Sequence, residues 1–512
     1  MKLFTSSQRA FAETASELAH CNPFIARRTE LERRALGTEF DERFAQWNVE
    51  RDAAADQPNL VRLIDRVEAV FADVRRRGVD WREAEATDRI RFEDMVWFAC
   101  YHRLRKPFAR AAAESLKGVD VRRRLFEPVR AATIEYVGVE EHAASLVAAA
   151  PHMTAIFYQL SRAFHHVFDF ILGASRPAVE LRAAVWQSIF THDMRRYRAL
   201  LFDKLGDYAT LITGPSGTGK ELAARAIGLS QYIPFDAKSG KFVDGDERFW
   251  PLNLSALSPT LIESELFGHR RGAFTGAAEA REGWLERCSP YGTVFLDEIG
   301  ELSPTIQVKL LRVLQERTFQ RLGEAEPRRF RGKLISATNR DLAKQMRQGE
   351  FRDDLYYRLC SDIISTTSLR ARLDDDPGEL RRLVTPMVER LVGPGAAGVI
   401  DEVLATIDVR LGNRYAWPGN VRELEQCVRN VVIRRDYVPH HGATNGASGP
   451  QSLTDAVLAG SLTVEELVCR YCLLVYEQTG SYEATAERIQ VDRRTVKSKI
   501  DKARANRTDA SK

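Results

Sequence analysis

The sequence predicts a multidomain chain: an α-helical N-terminal domain, an α/β domain with a mainly parallel sheet, a helical lid, and a small helical domain at the C-terminus. Three observations carry this. Short β-type runs ("YATLITG", "GTVFLDE", "GKLISATN") alternate with helical stretches only between about residues 181 and 372. Helical periodicity without such runs fills residues 1–180 and returns over 373–435. A Gly-, Ser-, Asn- and Pro-rich stretch, "PHHGATNGASGPQS", then marks a flexible linker at 436–452 ahead of a last helical piece, 453–512.

In residues 1–180 the segment "VRLIDRVEAVFADVRRR" sets Ile64, Val67, Phe71 and Val74 three and four apart, an amphipathic helix. His165 and His166 are adjacent and so do not share a helix face, which makes them poor joint metal ligands. No internal repeat appears, and the region's task is not written in its pattern. The whole chain has 512 residues, 44% apolar and 29% charged, with a net charge of +4, an ordinary globular balance that leaves any basic surface to be local. The N-terminus lacks the apolar core of a signal peptide, and no apolar run approaches the ~18 residues of a membrane span. Seven scattered cysteines suit a reducing cytoplasm. Cys469 and Cys472 form a C-x-x-C with no second pair or nearby His, so core packing is expected of them.

The α/β region opens with chemistry. "LITGPSGTGKE" ends a strand in a glycine-rich turn, Gly214 to Gly219 with Gly217 and Thr218 between, followed by Lys220 and Glu221. Such a turn aims backbone N–H groups at phosphate, and the next helix adds its positive end. Lys220 is placed to reach the terminal phosphates. Downstream, the apolar run "GTVFLDE" delivers Asp297 and Glu298 at a strand's C-terminal end, where open α/β sheets bind ligands. Asp297 is expected to hold Mg²⁺, and Glu298 to orient the attacking water. The cofactors implied are ATP and Mg²⁺.

These residues resemble the AAA+ family of bacterial enhancer-binding proteins, P-loop ATPases that activate RNA polymerase carrying the sigma-54 factor. The likeness is dense over about 200–435. In that family the phosphate loop commonly ends in Glu, as Glu221 does here. "LIESELFGHRRGAFTGA" is similar to the family's signature stretch. The resemblance implies that Gly272, Ala273, Phe274, Thr275, Gly276 and Ala277 form the loop that contacts sigma-54, with Phe274 held out as an aromatic anchor. It implies that Asn253 pairs with Glu298 and links nucleotide state to loop position. Thr338 and Asn339 fall on the first sensor, Arg352 and Arg358 on the arginine-finger segment, and Arg422 on the second sensor in "WPGNVREL". Where the family usually continues to Pro-Pro-Leu-Arg, this chain has "CSDIISTTSLRAR". No strand-rich receiver pattern precedes the ATPase, so control through an N-terminal phosphoaspartate is not expected.

The tail "SYEATAERIQVDRRTVKSKIDKARANR" looks like a helix-turn-helix, with Ala486, Ile489, Val491, Val496 and Ile500 packing two helices across a turn near Gln490 to Asp492. Seven basic residues stand against one acid between 493 and 507, an excess suited to DNA phosphates. Arg493, Arg494, Thr495, Lys497 and Ser498 lie early on the second helix, where base edges are read. By the same resemblance the preceding helix supplies dimer contacts. The expected protein is a cytoplasmic, membrane-free, sigma-54-dependent activator. It binds enhancer DNA and assembles from dimers into a ring, a hexamer. Two alternatives stand beside it: a DNA-binding regulator without remodelling activity, and an AAA+ remodeller of a non-transcriptional target.

Overall fold

A computed structural model describes residues 2–45, 57–114, 119–138, 140–243, 248–275, 277–439 and 462–509, with Leu453 and Val457. The expected linker therefore lies from 440 onward outside the described residues. Met1–Asp436 form one compact unit and Tyr437–Lys512 a second.

Within the first unit, five parallel strands make the sheet: β1 (Thr210–Thr213), β2 (Phe249–Asn253), β3 (Thr293–Asp297), β4 (Lys333–Thr338) and β5 (Asp362–Ser365). Their order is β5-β1-β4-β3-β2. The apolar runs of the middle strands are buried on both faces, and successive residues serve different cores. Leu211, Val294, Leu296 and Leu334 enter one core with the Pro259–Phe267 and Pro304–Glu316 helices. Ile212, Phe295 and Ile335 enter another, shared with the helices that precede the sheet.

That second core is where the N-terminal helices end up. Residue 180 falls inside the Arg176–Phe190 helix, and the helical region runs on through Tyr197–Leu201 before β1 begins. The amphipathic segment forms the Pro58–Arg76 helix, with Val67, Phe71 and Val74 buried and Ile64 at the margin of the core. The Ala150–Phe170 helix caps the Lys220–Gly228 helix: Gln159 Nε2 donates to Ser230 O at 2.9 Å and Arg162 Nη1 to Leu229 O at 2.8 Å. Cationic and amide donors at a helix C-terminus answer its unpaired carbonyls. Glu379, fully buried, accepts from Ala174 N at 2.7 Å, Ser175 N at 3.1 Å and Arg372 Nε at 2.9 Å, tying the start of the Arg176–Phe190 helix to the lid. The lid consists of the Leu369–Asp375, Glu379–Val392, Ala397–Leu411 and Asn420–Arg434 helices. The unusual "CSDIISTTSLRAR" stretch supplies β5 and a helix capped by Ser368. No helix among the described residues is long and apolar enough to cross a membrane.

One buried carboxylate joins the helical region to the segment entering the sheet. Asp94 accepts from Ser16 Oγ at 2.6 Å and from Arg198 Nη2 at 2.7 Å, also binds Arg195, and lies 2.9 Å from His20 Nε2. Burial pushes its pKa up, but His20 and then Arg198 and Arg195 outweigh this and bring it down to about 2. Burial also pushes His20 below its ordinary value. Asp94→Ala is expected to cost about 3–5 kcal/mol in denaturant unfolding, because a buried guanidinium loses its counter-charge. Since the folded pKa lies below the unfolded ~3.9, this stabilisation is present above pH ~4 and drains away as pH falls toward 2. The acid limb of an unfolding profile should flatten in the variant; an unchanged limb would remove Asp94 from this role.

Candidate active site

The phosphate loop closes β1 and starts the Lys220–Gly228 helix. Gly214 has φ +140°, and a Cβ there would meet Thr366 Oγ1 at 2.2 Å. Gly217 has φ +76°, and its Cβ would meet Gly419 O at 2.3 Å. These positions need glycine both for the backbone angle and for close approach. Thr218 is buried, its hydroxyl 2.8 Å from Pro215 O and 2.6 Å from Thr366 Oγ1. Gly219 is the left-handed N-cap of the helix. Lys220 Nζ donates to Gly214 O at 3.0 Å and Pro215 O at 3.1 Å, arched over the loop. Burial lowers its pKa, while Glu298 and Asp297 pull it back up. Glu221 stands aside, in a 2.9 Å ion pair with Arg225 on the helix surface.

Asp297 and Glu298 leave the end of β3 together. Burial, then the neighbouring Glu298 charge, raises the Asp297 pKa. Two adjacent half-buried acids beside a lysine fit a divalent cation, which relieves that repulsion, and Asp297 is the group that would hold Mg²⁺. Glu298 sits at φ +57°, ψ +53°, a left-handed conformation that costs a non-glycine residue on the order of 1–3 kcal/mol. Its Oε2 accepts from the Asn339 backbone N–H at 3.2 Å, which joins this carboxylate to the residue that follows β4. Thr338, fully buried, holds Arg340 N at 3.0 Å through its hydroxyl.

Two expectations need correction. Asn253 does not pair with Glu298: its Oδ1 accepts from Ser255 N at 3.0 Å and Ser255 Oγ at 2.7 Å, because it caps the short helix after β2. It does lie in register beside Asp297. Phe274 is not held out in solvent. The 272–277 loop caps a hairpin whose base pairs Gly268 with Glu282 and His269 with Arg281. Gly272 N donates to Ala277 O at 2.9 Å, so the loop folds back tightly, and the half-buried Phe274 ring meets His269 edge-to-face at 5.0 Å. An aromatic left in water would forgo that contact. His269 is in turn fixed by Ser264 Oγ at 2.8 Å from Nδ1. Gly272 and Thr275 are exposed, Ala273 is half-buried and Ala277 buried; Gly276 lies outside the described residues.

Arg352 is the N-cap of the Asp353–Leu359 helix and Arg358 lies in its last turn, while Leu355 and Leu359 enter the core beside the Pro304–Glu316 helix. Both are exposed. Arg352 is held by a two-pronged contact with Asp354 at 3.0 and 2.7 Å. The guanidinium of Arg358 has no hydrogen-bonding partner among the described residues. Among those residues, neither arginine reaches the phosphate loop, Asp297 or Glu298 of its own chain.

Sequence reading placed Arg422 at the site but missed its anchor. Asn420 is buried at φ +52°, donates through Nδ2 to Ser216 O at 2.9 Å, and accepts from Leu369 N at 2.9 Å. Val421 N donates to Gly217 O at 3.0 Å, and Arg422 Nη1 to Ser216 Oγ at 3.0 Å. The lid is thus bolted to the phosphate loop through the "GNVR" turn. A Pro-Gly-Asn sequence signals a left-handed residue, but not where its side chain lands. Asn420→Ala should weaken ATP binding by about tenfold, a loss of roughly 1–3 kcal/mol, by leaving buried backbone groups unpaired. Nucleotide titration reads this directly, and unchanged affinity would count against the lid contact.

In the second unit, the Val464–Thr479, Tyr482–Ile489 and Arg493–Asp509 helices pack around Cys469, Cys472, Leu473, Val496 and Ile500. The two cysteines are core residues. Gln490 makes the turn in the left-handed conformation at φ +54°. Arg493, Arg494, Thr495, Lys497 and Ser498 are exposed. Arg493 is paired with Glu483 at 2.8 Å.

Comparison with known proteins agrees with this geometry. Residues 193–365 match the model of the sigma-54 interaction domain. The Nif-specific regulatory protein of Herbaspirillum seropedicae is 42% identical over 284 residues, covering 55% of this chain and 46% of that protein. Its counterpart in Azotobacter vinelandii is 39% identical over 311 residues, 58% of this chain and 55% of the relative. The transcriptional regulatory protein ZraR of Escherichia coli O157:H7 is 39% identical over 298 residues, 57% of this chain and 63% of its own length. The chain thus spans about half the length of the first two relatives. A crystal structure of NtrX from Brucella abortus aligns over 73% of this chain and 79% of its own at 22% identity, with a TM-score of 0.39, too loose a likeness to carry an argument. The matched segment begins just before β1 and ends at β5, enclosing the phosphate loop, both carboxylates and the hairpin loop; over these residues the chain is similar to the sigma-54 interaction domain of transcriptional regulators.

Proposed function

We propose that this protein is an ATP-driven, sigma-54-dependent transcriptional activator that works in the cytoplasm. The observation that supports the reading is the pair of acids at the end of β3: Glu298, just past the strand, accepts the Asn339 amide, while Asp297 lies in register beside Asn253 of β2, the strand that leads into the helix bearing the Phe274 hairpin. Lys220 and the loop amides bind the phosphates, Thr218 frames the loop, Glu221 follows at the start of the helix, and Arg422 covers the loop from the lid. Mg²⁺ at Asp297 supplies charge neutralisation for the phosphates when bound. Glu298 orients water toward the terminal phosphate. Arg358, with Arg352 beside it, serves the site of a neighbouring subunit in a ring, a hexamer built from dimers.

Hydrolysis then releases the Phe274 ring from His269 and presents residues 272–277 to sigma-54. The exposed basic face of the Arg493–Asp509 helix, carrying Arg493, Arg494, Thr495, Lys497 and Ser498, supports enhancer binding, with phosphate contacts supplying most of the affinity. The test is ATP-dependent open-complex formation by sigma-54 polymerase on a supercoiled promoter. Wild-type protein is expected to open it, and Phe274→Ala to lose opening at least tenfold while hydrolysing ATP at the wild-type rate. ATP hydrolysis without any opening by the wild type would instead favour a remodeller of a non-transcriptional target.

A further inference from the structure

The helical region holds a pocket of about 100 Å³, open on one side, between the Ser6–His20, Ala86–Arg103, Ala150–Phe170 and Arg176–Phe190 helices. Its floor includes Met194 and Arg198, on the segment that leads into β1. Most of the wall is aromatic or aliphatic, with Trp97, Phe157 and Trp186 among its rings. Among the polar groups that line it, His102 Nδ1 and His20 Nδ1 are buried with no hydrogen-bond partner. A buried polar group left unpaired is costly, and a packed core seldom keeps two around one pocket.

The wall's charges narrow what could enter. Arg198 is engaged by Asp94 at 2.7 Å, and Arg28 by Glu32 at 2.7 Å and by Leu18 O at 2.8 Å. No carboxylate is among the lining residues, so neither an anion nor a cation finds a free counter-charge. Burial, reinforced by Arg28 and Arg105, pushes the His102 pKa well below its ordinary value. The imidazole is therefore neutral and offers one donor and one acceptor.

We propose that this cavity is an effector site for a small neutral planar ligand, a single ring bearing one hydroxyl or ring nitrogen, whose occupancy is communicated to the ATPase through Arg198. An apolar cavity of this order of size takes one aromatic ring. The ring packs among Trp97, Phe157 and Trp186, and its polar atom pairs with His102. Arg198 is the relay because it touches both sides. Its guanidinium stacks on Trp97 at 4.5 Å, and its carbonyl lies 2.8 Å from His152 Nε2. His152 Nδ1 is 2.9 Å from the Tyr232 hydroxyl, just beyond the helix that begins at Lys220. A ligand that moves this contact shifts the phosphate site, and nucleotide must alter ligand affinity by the same factor.

Binding can be measured without sigma-54 or DNA, so failure here is separable from failure of the activator reading. The full-length chain would be unfolded thermally with phenol, toluene or benzoate at matched concentrations, and its ATP turnover measured with each. Phenol should raise Tm saturably by about 2–4 °C, toluene less, and benzoate not at all. Phenol should also change turnover by about fivefold or more. Ala19→Leu, on the cavity wall, should abolish the shift by filling the space. His102→Phe should erase the preference for phenol over toluene while leaving toluene bound. No saturable shift with any probe, or one that survives Ala19→Leu, would overturn the site. A phenol shift with unchanged turnover would overturn the relay through Arg198.

Discussion

Replacing Arg358 with alanine is expected to lower ATP turnover by about 10³–10⁵-fold while leaving ATP affinity unchanged. The geometry separates the two quantities. Arg358 lies at the exposed end of the Asp353–Leu359 helix and, among the described residues, makes no contact with its own chain's phosphate loop. The helix itself is held rigidly. Leu355 and Leu359 are buried, and Gln307, itself buried, accepts the Arg352 N–H at 2.9 Å. A rigid helix that presents a guanidinium outward suits charge stabilisation in a neighbour's site, where the cation need act only as the transferred phosphate develops charge. Arg352, locked onto Asp354, is the weaker candidate, and Arg352→Ala should cost less. The decisive measurement mixes Arg358→Ala protein with Glu298→Gln protein. Each lacks what the other carries, so mixed assemblies should recover turnover that neither has alone. Full turnover by Arg358→Ala alone would remove it from catalysis.

Glu298→Gln is expected to cut turnover by about 10²–10⁴-fold with ATP still bound, since the amide keeps the side chain's shape but cannot accept a proton from water. The left-handed backbone at Glu298 adds an independent check. Glu298→Gly should abolish turnover yet raise stability by about 0.5–1 kcal/mol, because glycine adopts φ +57° without strain. Loss of activity with higher stability marks a residue held in an unfavourable conformation for its chemistry. If both variants hydrolyse ATP normally, the water-orienting group lies elsewhere.

Local sequence carried much of this site. Glycines at 214, 217 and 219 with Lys220 announce a phosphate loop because backbone angles, not distant contacts, make it. The position of Asp297 and Glu298 was readable because they close an apolar strand, at the end where open α/β sheets bind their ligands. The turn at Gln490 and the packing of Val496 and Ile500 followed from helical spacing. Asn253 and Phe274 were not readable in the same way. Both motifs occur as expected, but where each side chain points depends on Ser255 and His269, and nothing in spacing ranks those contacts against Glu298 or solvent.

The same division holds for the whole chain. Short apolar β-type runs and positive-φ glycines are properties of a few neighbouring residues, so the strands, the phosphate loop and the helical character of both ends follow from short-range pattern alone. Where the helices go is a long-range matter. Ile212, Phe295 and Ile335 must bury one sheet face against some apolar surface, and the N-terminal helices supply it, with Arg162, Asp94 and Glu379 fixing them to the ATPase and the lid. Those three side chains pair with groups about 70 to 200 residues away. Only the closed tertiary packing selects such partners, since the free energy comes from burying both surfaces at once.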